Sequence, residues 1–153
     1  MRISRRGSGI SKDTEILLVE DSKFIRVAVQ RALTRAGYIV HTASDGEAGL
    51  LAARKTLPDL VILDLVLPKT SGLEVLRALK QDALTRNIPV IVLAALSEPN
   101  KEELLNEGVA ACVEKLGKLF EGDSAALIRT VAQVVAQSES AERKKNLSGK
   151  TLS

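Results

Sequence analysis

The sequence predicts an α/β domain built on an open parallel sheet, and two observations carry the prediction. Five short apolar runs, at 15–19, 39–42, 60–63, 90–93 and 111–114, recur along the chain with amphipathic stretches between them. Several of the runs are almost continuously apolar, as strands are when helices cover both faces of the sheet. Strand–helix alternation gives parallel strands joined by right-handed crossovers. The second observation is where charge falls: Glu20 and Asp21 close the first run, Asp64 closes the third, and Lys115 follows the fifth. The carboxyl ends of the strands line one edge of such a sheet, and ligands bind there. Three carboxylates and a single cation on one rim suit a divalent metal and a phosphoryl group.

Each element has its own signals. Residues 1–13 are rich in Gly, Ser and Arg without periodicity, which predicts a flexible basic leader. Ile25, Ala28, Val29, Ala32, Leu33 and Ala36 recur with helical spacing, Ser22 can cap the start, and Gly37 ends the stretch. Asp45 or Ser44 can cap a second helix carrying Ala48, Leu51 and Ala52. Leu73, Leu76 and Leu79 mark a third, with Gly72 just ahead of it. Pro99 suits the first turn of a fourth, whose apolar face, Leu104 and Leu105, is thin. Leu127, Val131, Val134 and Val135 mark a fifth, opened by Asp123 or Ser124. The ordered domain is therefore expected over 14–137, with 138–153 a polar, disordered tail.

Composition narrows the function classes. At 153 residues with 45% hydrophobic and 27% charged, the chain suits one globular domain rather than a disordered segment. No apolar run approaches the roughly 20 residues of a membrane span, and the basic N-terminus has no apolar stretch behind it, so it is no secretory signal. A single cysteine, Cys112, fits a reducing cytoplasm and reads as a small buried hydrophobe. The excess positive charge lies in Arg2, Arg5, Arg6 and Lys12 at one end and Arg143, Lys144, Lys145 and Lys150 at the other. With only Phe24, Tyr38 and Phe120 as aromatics, these read as solvated termini, not as a specific nucleic-acid surface. His41, the only histidine, reads as an exposed residue of an edge strand.

The segments Ile16-Leu17-Leu18-Val19-Glu20-Asp21-Ser22, Asp59-Leu60-Val61-Ile62-Leu63-Asp64-Leu65, Leu67-Pro68 with Ser71-Gly72, and Pro89-Val90-Ile91-Val92-Leu93 resemble the receiver domain of bacterial two-component response regulators. Acidic pair, aspartate and lysine follow in order, Asp64 coming 43 residues after Asp21 and Lys115 another 51 on. The resemblance implies a flavodoxin-like, five-stranded sheet of order 2-1-3-4-5 with five helices. It implies a signalling protein, not an enzyme, in which Asp64 accepts a phosphoryl group from a histidine kinase or phosphotransfer protein. It also implies Mg2+ held by Asp21 and Asp64, by Glu20 through water, and by the backbone carbonyl of Val66. Lys115 would contact a phosphoryl oxygen. No output domain follows residue 137, so a single-domain form is expected. It would signal to a downstream protein through its fourth helix, fifth strand and fifth helix.

Three positions depart from the family pattern. Ala94 stands where Ser or Thr usually supplies a hydroxyl to the phosphoryl group, and neither it nor Ala95 can donate. Ser97 could substitute only if its loop bends back. Cys112 replaces the usual Tyr or Phe of the fifth strand, and Leu116 replaces a proline that often follows the lysine through a cis bond. These departures motivate an alternative: a phosphorylation-independent module that keeps the acidic pocket and signals by binding, as a homodimer or with another protein. A receiver domain cut from a longer regulator or hybrid kinase is a further alternative. A magnesium phosphohydrolase is disfavoured, because Leu65-Val66 follows Asp64 where such enzymes place a second acid.

Overall fold

The apolar runs form a single parallel sheet in the computed structural model, which describes residues 13–94, 101–114 and 124–152. Strands β1 (Glu15–Val19), β2 (Ile39–Ala43), β3 (Leu60–Asp64), β4 (Val90–Ala94) and β5 (Ala111–Glu114) alternate with helices. The helices are α1 (Lys23–Arg35), α2 (Gly46–Thr56), α3 (Gly72–Gln81), α4 (Lys101–Asn106) and α5 (Ala125–Leu152). The sheet order is β2-β1-β3-β4-β5, all parallel. The strand positions agree with the apolar runs to within one residue.

Because strand side chains alternate between faces, the apolar strands feed two cores. Ile16, Leu18, Leu60, Ile62, Ile91 and Leu93 pack against Ile25, Val29 and Leu33 of α1 and Leu127, Val131 and Val134 of α5. Leu17, Val19, Val61, Leu63, Val90 and Val92 face the other way, onto Ala53 of α2, Val75, Leu76 and Leu79 of α3, and Leu104 of α4. The three central strands are thus sealed between helices, and their carboxyl ends are held in fixed relative register.

Ser22 and Asp45 cap α1 and α2 through Ile25 N–H (3.3 Å) and Ala48 N–H (2.8 Å). The α2 face differs from expectation: Leu51 is 67% exposed, and Gly46, Gly49 and Ala53 are buried. Gly49 faces Val19 so closely that an added Cβ would lie 2.9 Å from a Val19 methyl, so the glycine backbone seats directly on the Val19 side chain, with Leu50 rather than Leu51 packed against the core. On α4, Leu104 is buried and Leu105 is exposed. His41 lies on edge strand β2, half exposed, with Nε2 3.1 Å from Glu15 Oε1.

The last helix corrects the expected boundary. In place of a disordered tail from 138, α5 runs on to Leu152, 28 residues in all. Ala141, Glu142, Arg143, Lys144 and Lys145 are strong helix formers and no proline interrupts them. Lack of an apolar stripe argues against nucleating a helix, but propagation from turns already packed by Leu127–Val135 adds one hydrogen bond per residue. Past 137 the helix still runs near the domain: burial raises the Tyr38 phenol pKa, and the Glu139 carboxylate raises it further.

A forked ion pair ties α3 to the turn after α4. Arg77 Nη2 lies 2.9 Å from Glu107 Oε1, and Nε lies 3.3 Å from both carboxylate oxygens. The hydrogen bond from Arg77 holds the Glu107 carboxyl below its ordinary value of 4.5. A depressed carboxyl contributes its stabilisation above its ordinary value and loses it as pH falls through the lowered one. Titration below pH 4.5 should therefore release the tether. By NMR the Arg77 Nε–H signal should lose its hydrogen-bonded shift there, and Glu107→Gln should lack that shift at every pH.

Candidate functional site

Sheet register brings the predicted carboxylates together. Val19 pairs with Leu63, so Glu20 and Asp64 are the next residues on neighbouring strands. Parallel strands lie about 4.8 Å apart. The Glu20 N–H still donates to Ala43 O at 3.0 Å, which continues the ladder past β1 and fixes the start of the β1–α1 turn. One carboxylate oxygen from each of Glu20, Asp21 and Asp64 then lies within 4.8 Å of the others. The cluster sits where the strand order reverses, between β1 and β3, the place where open α/β sheets bind ligands.

The three carboxylates differ in setting. Glu20 is fully buried and Asp64 is 1% exposed, whereas Asp21 is open to solvent. Glu20 Oε2 accepts from Ser22 N–H at 3.0 Å, which aims its side chain along the turn. Asp64 Oδ1 accepts from Val66 N–H at 3.1 Å, the self-bracing bend of an aspartate two residues ahead of its donor. The Val66 side chain stands 66% exposed beside it. A cluster with oxygen donors only, partly buried and open on one side, fits a hard divalent cation that keeps some of its water.

Behind Asp64 the β3–α3 loop is pinned from two ends. Gly72 N–H donates to Leu65 O at 2.9 Å, and α3 opens with a reciprocal cap: Glu74 N–H to Ser71 Oγ at 3.2 Å, Ser71 N–H to Glu74 Oε2 at 3.4 Å. Its sequence, Ser71-Gly72-Leu73-Glu74, is a legible capping box that the apolar pattern alone does not use. Gly72 is required on space: a Cβ there would meet Asp64 O at 2.5 Å and Leu65 Cα at 2.6 Å.

Other predicted positions fall as follows. Ala94 ends β4 half-buried, one residue past Leu93, the partner of Asp64. Cys112 is half-buried, not fully, and packs at the margin of the α2–α4 core. Lys115 and Leu116 lie outside the described residues, as do Ala95, Ser97, Pro99 and Asp123. Arg26 was given no role by the sequence patterns: its Nη1 donates to the carbonyls of Glu20 (2.9 Å) and Asp21 (3.2 Å).

A parallel sheet of this order with carboxylates gathered at its switch point is the architecture of phosphorelay receivers, and comparison with known proteins agrees. The family model for the response regulator receiver domain matches residues 16–122, and the chain belongs to that family. It is 44% identical over 84 residues to the alkaline phosphatase synthesis transcriptional regulatory protein PhoP of Bacillus subtilis, covering 55% of this chain and 34% of that one. Over 83 residues it is 42% identical to the transcriptional regulatory protein AfsQ1 of Streptomyces coelicolor, covering 54% of this chain and 36% of that one. The chain thus spans about a third of the length of these curated relatives. Among solved structures, the chemotaxis response regulator CheY4 of Vibrio cholerae is 30% identical with a TM-score of 0.68, over 77% of this chain and 98% of that one. No helix among the described residues is long and apolar enough to cross a membrane.

Gly72→Ala should destabilise the domain by about 1–3 kcal/mol, the usual range for forced overpacking. Because the clash is with backbone at Asp64 and Leu65, NMR shifts at residues 64–66 should change with it. A variant as stable as wild type with those shifts unmoved would contradict the close approach.

Proposed function

We propose that this receiver domain accepts a phosphoryl group on Asp64 from a phosphohistidine donor, with Mg2+ at the acidic cluster. The observation that carries the proposal is the convergence of Glu20, Asp21 and Asp64 within 4.8 Å at the sheet's switch point. Asp21 and Asp64 would hold the ion directly, Glu20 through water, and Val66 through its carbonyl. When bound, the ion offsets the repulsion between a carboxylate and phosphoryl oxygens. Val66 N–H orients Asp64. A carboxylate oxygen forms the new P–O bond as the P–N bond breaks, and the electron pair leaves to the donor's imidazole nitrogen, which takes up a proton. Lys115 would pair with a phosphoryl oxygen as a point cation.

The donor is proposed to be a histidine kinase or phosphotransfer protein in the cytoplasm, and the signal to leave by protein contact over α4, β5 and α5. That face carries the exposed Leu105 and the partly buried edge strand β5. The domain would do this alone or as the input of a longer regulator such as those it matches.

Ala94 favours a second reading, a module that signals by binding without phosphorylation, as a homodimer or with another protein. A half-buried methyl at that place cannot hydrogen-bond a phosphoryl group, and Cys112 on the adjoining strand is smaller than the aromatic usual there. A hydrogen bond to a charged group contributes about 1.5–3 kcal/mol, so its absence weakens the phosphorylated state without forbidding the chemistry.

Acetyl phosphate with Mg2+ should add one phosphoryl mass to the intact protein and none to Asp64→Asn. Equal gain in the variant would remove Asp64 from its role. No gain in folded wild-type protein, together with unchanged partner affinity under beryllium trifluoride, would favour the binding module. Ala94→Thr should shift phosphotransfer from a phosphohistidine donor toward phosphorylated protein by roughly tenfold or more, the equilibrium equivalent of one charged hydrogen bond, measured as the phosphorylated fraction by intact mass.

A further inference from the structure

We propose that Arg26 is a positioning residue of the metal site, setting the geometry of the acidic pair through its backbone; this rests on the reading that Glu20, Asp21 and Asp64 hold magnesium. Arg26 lies in the first turn of α1, where its own N–H closes onto Ser22 O at 2.8 Å. Its side chain turns back, and a single nitrogen, Nη1, donates to the carbonyls of both Glu20 and Asp21. Those carbonyls belong to the peptide planes on either side of Asp21. Fixing the two planes fixes φ and ψ of Asp21, and with them the direction in which its side chain leaves the turn.

Two effects of the guanidinium oppose each other. Its charge lowers the negative potential at the cluster and so weakens attraction for a cation, while its hydrogen bonds hold the ligands in place. Arg26 is half exposed, so its charge is screened by solvent at the distance of the site. Partners that orient a ligand from behind typically change metal affinity by about 10–100-fold. Positioning therefore dominates. It should matter most for a small ion: Mg2+ demands near-ideal octahedral geometry, whereas Ca2+ accepts irregular ones. Arg26 acts on selectivity as well as affinity.

The test is calorimetric titration of Mg2+ and of Ca2+ into wild type, Arg26→Met, Arg26→Lys and Asp21→Asn, with folding checked by circular dichroism. Arg26→Met should weaken Mg2+ binding by about tenfold and Ca2+ binding clearly less. Arg26→Lys should recover part of the Mg2+ loss, because an ammonium still donates to a carbonyl. Equal losses for both ions, unchanged Mg2+ binding, or tighter binding in Arg26→Met would overturn the assignment. No heat from Mg2+ in wild type, with Asp21→Asn indistinguishable from it, would overturn the metal reading itself and this inference with it.

Discussion

Three carboxylates held within 4.8 Å of one another are the constraint on which the architecture turns. At about 4 Å, two unit charges repel by roughly 1 kcal/mol in water and about 4 kcal/mol at an effective dielectric of 20. Charges so close raise the free energy of the folded state unless polar or cationic groups offset them. Here the gathering follows from register: Glu20 and Asp64 extend the paired residues Val19 and Leu63 by one step, and Asp21 is carried round by the turn into α1. Burial of Glu20 and Asp64 raises the stakes, since a buried carboxylate needs polar or cationic company.

The rest of the fold makes that arrangement rigid. Six strand residues on each face pack into separate helical layers, so β1, β3 and β4 cannot slide without exposing a whole face. The loops are fastened more locally. Ser22 and Arg26 tie down the β1–α1 turn, while Gly72, Ser71 and Glu74 tie down the loop behind Asp64. Backbone hydrogen bonds thus hold the acidic side chains from behind, leaving the open side of the cluster to a ligand.

The strands, the acidic rim and the family were legible in the sequence because they rest on short-range signals: continuous apolar runs and charges placed directly after them. What was not legible depends on three-dimensional approach. Leu51 looked like a core residue by spacing, but α2 seats Gly49 on Val19 and turns Leu50 toward the core, which leaves Leu51 67% exposed. Polarity after 137 suggested a tail, although helix propagation requires no apolar stripe once a packed segment precedes it. Arg26 resembles any solvated helix arginine until its guanidinium is seen on the two carbonyls. The Ser71–Glu74 cap is written in the sequence as a capping box, a signal separate from the apolar spacing that marked this helix.

Ala94 and Cys112 are not members of the acidic cluster, so metal binding there can be tested apart from how a signal would be read out. Thermal unfolding of wild type and Asp64→Asn, with and without excess magnesium, tests it most directly, because a ligand that binds only the folded state raises the melting temperature with the logarithm of its concentration relative to Kd. The account predicts that magnesium raises the melting temperature of wild type and raises that of Asp64→Asn much less. Identical magnesium responses in the two proteins, or none in either, would contradict a metal site built on these carboxylates.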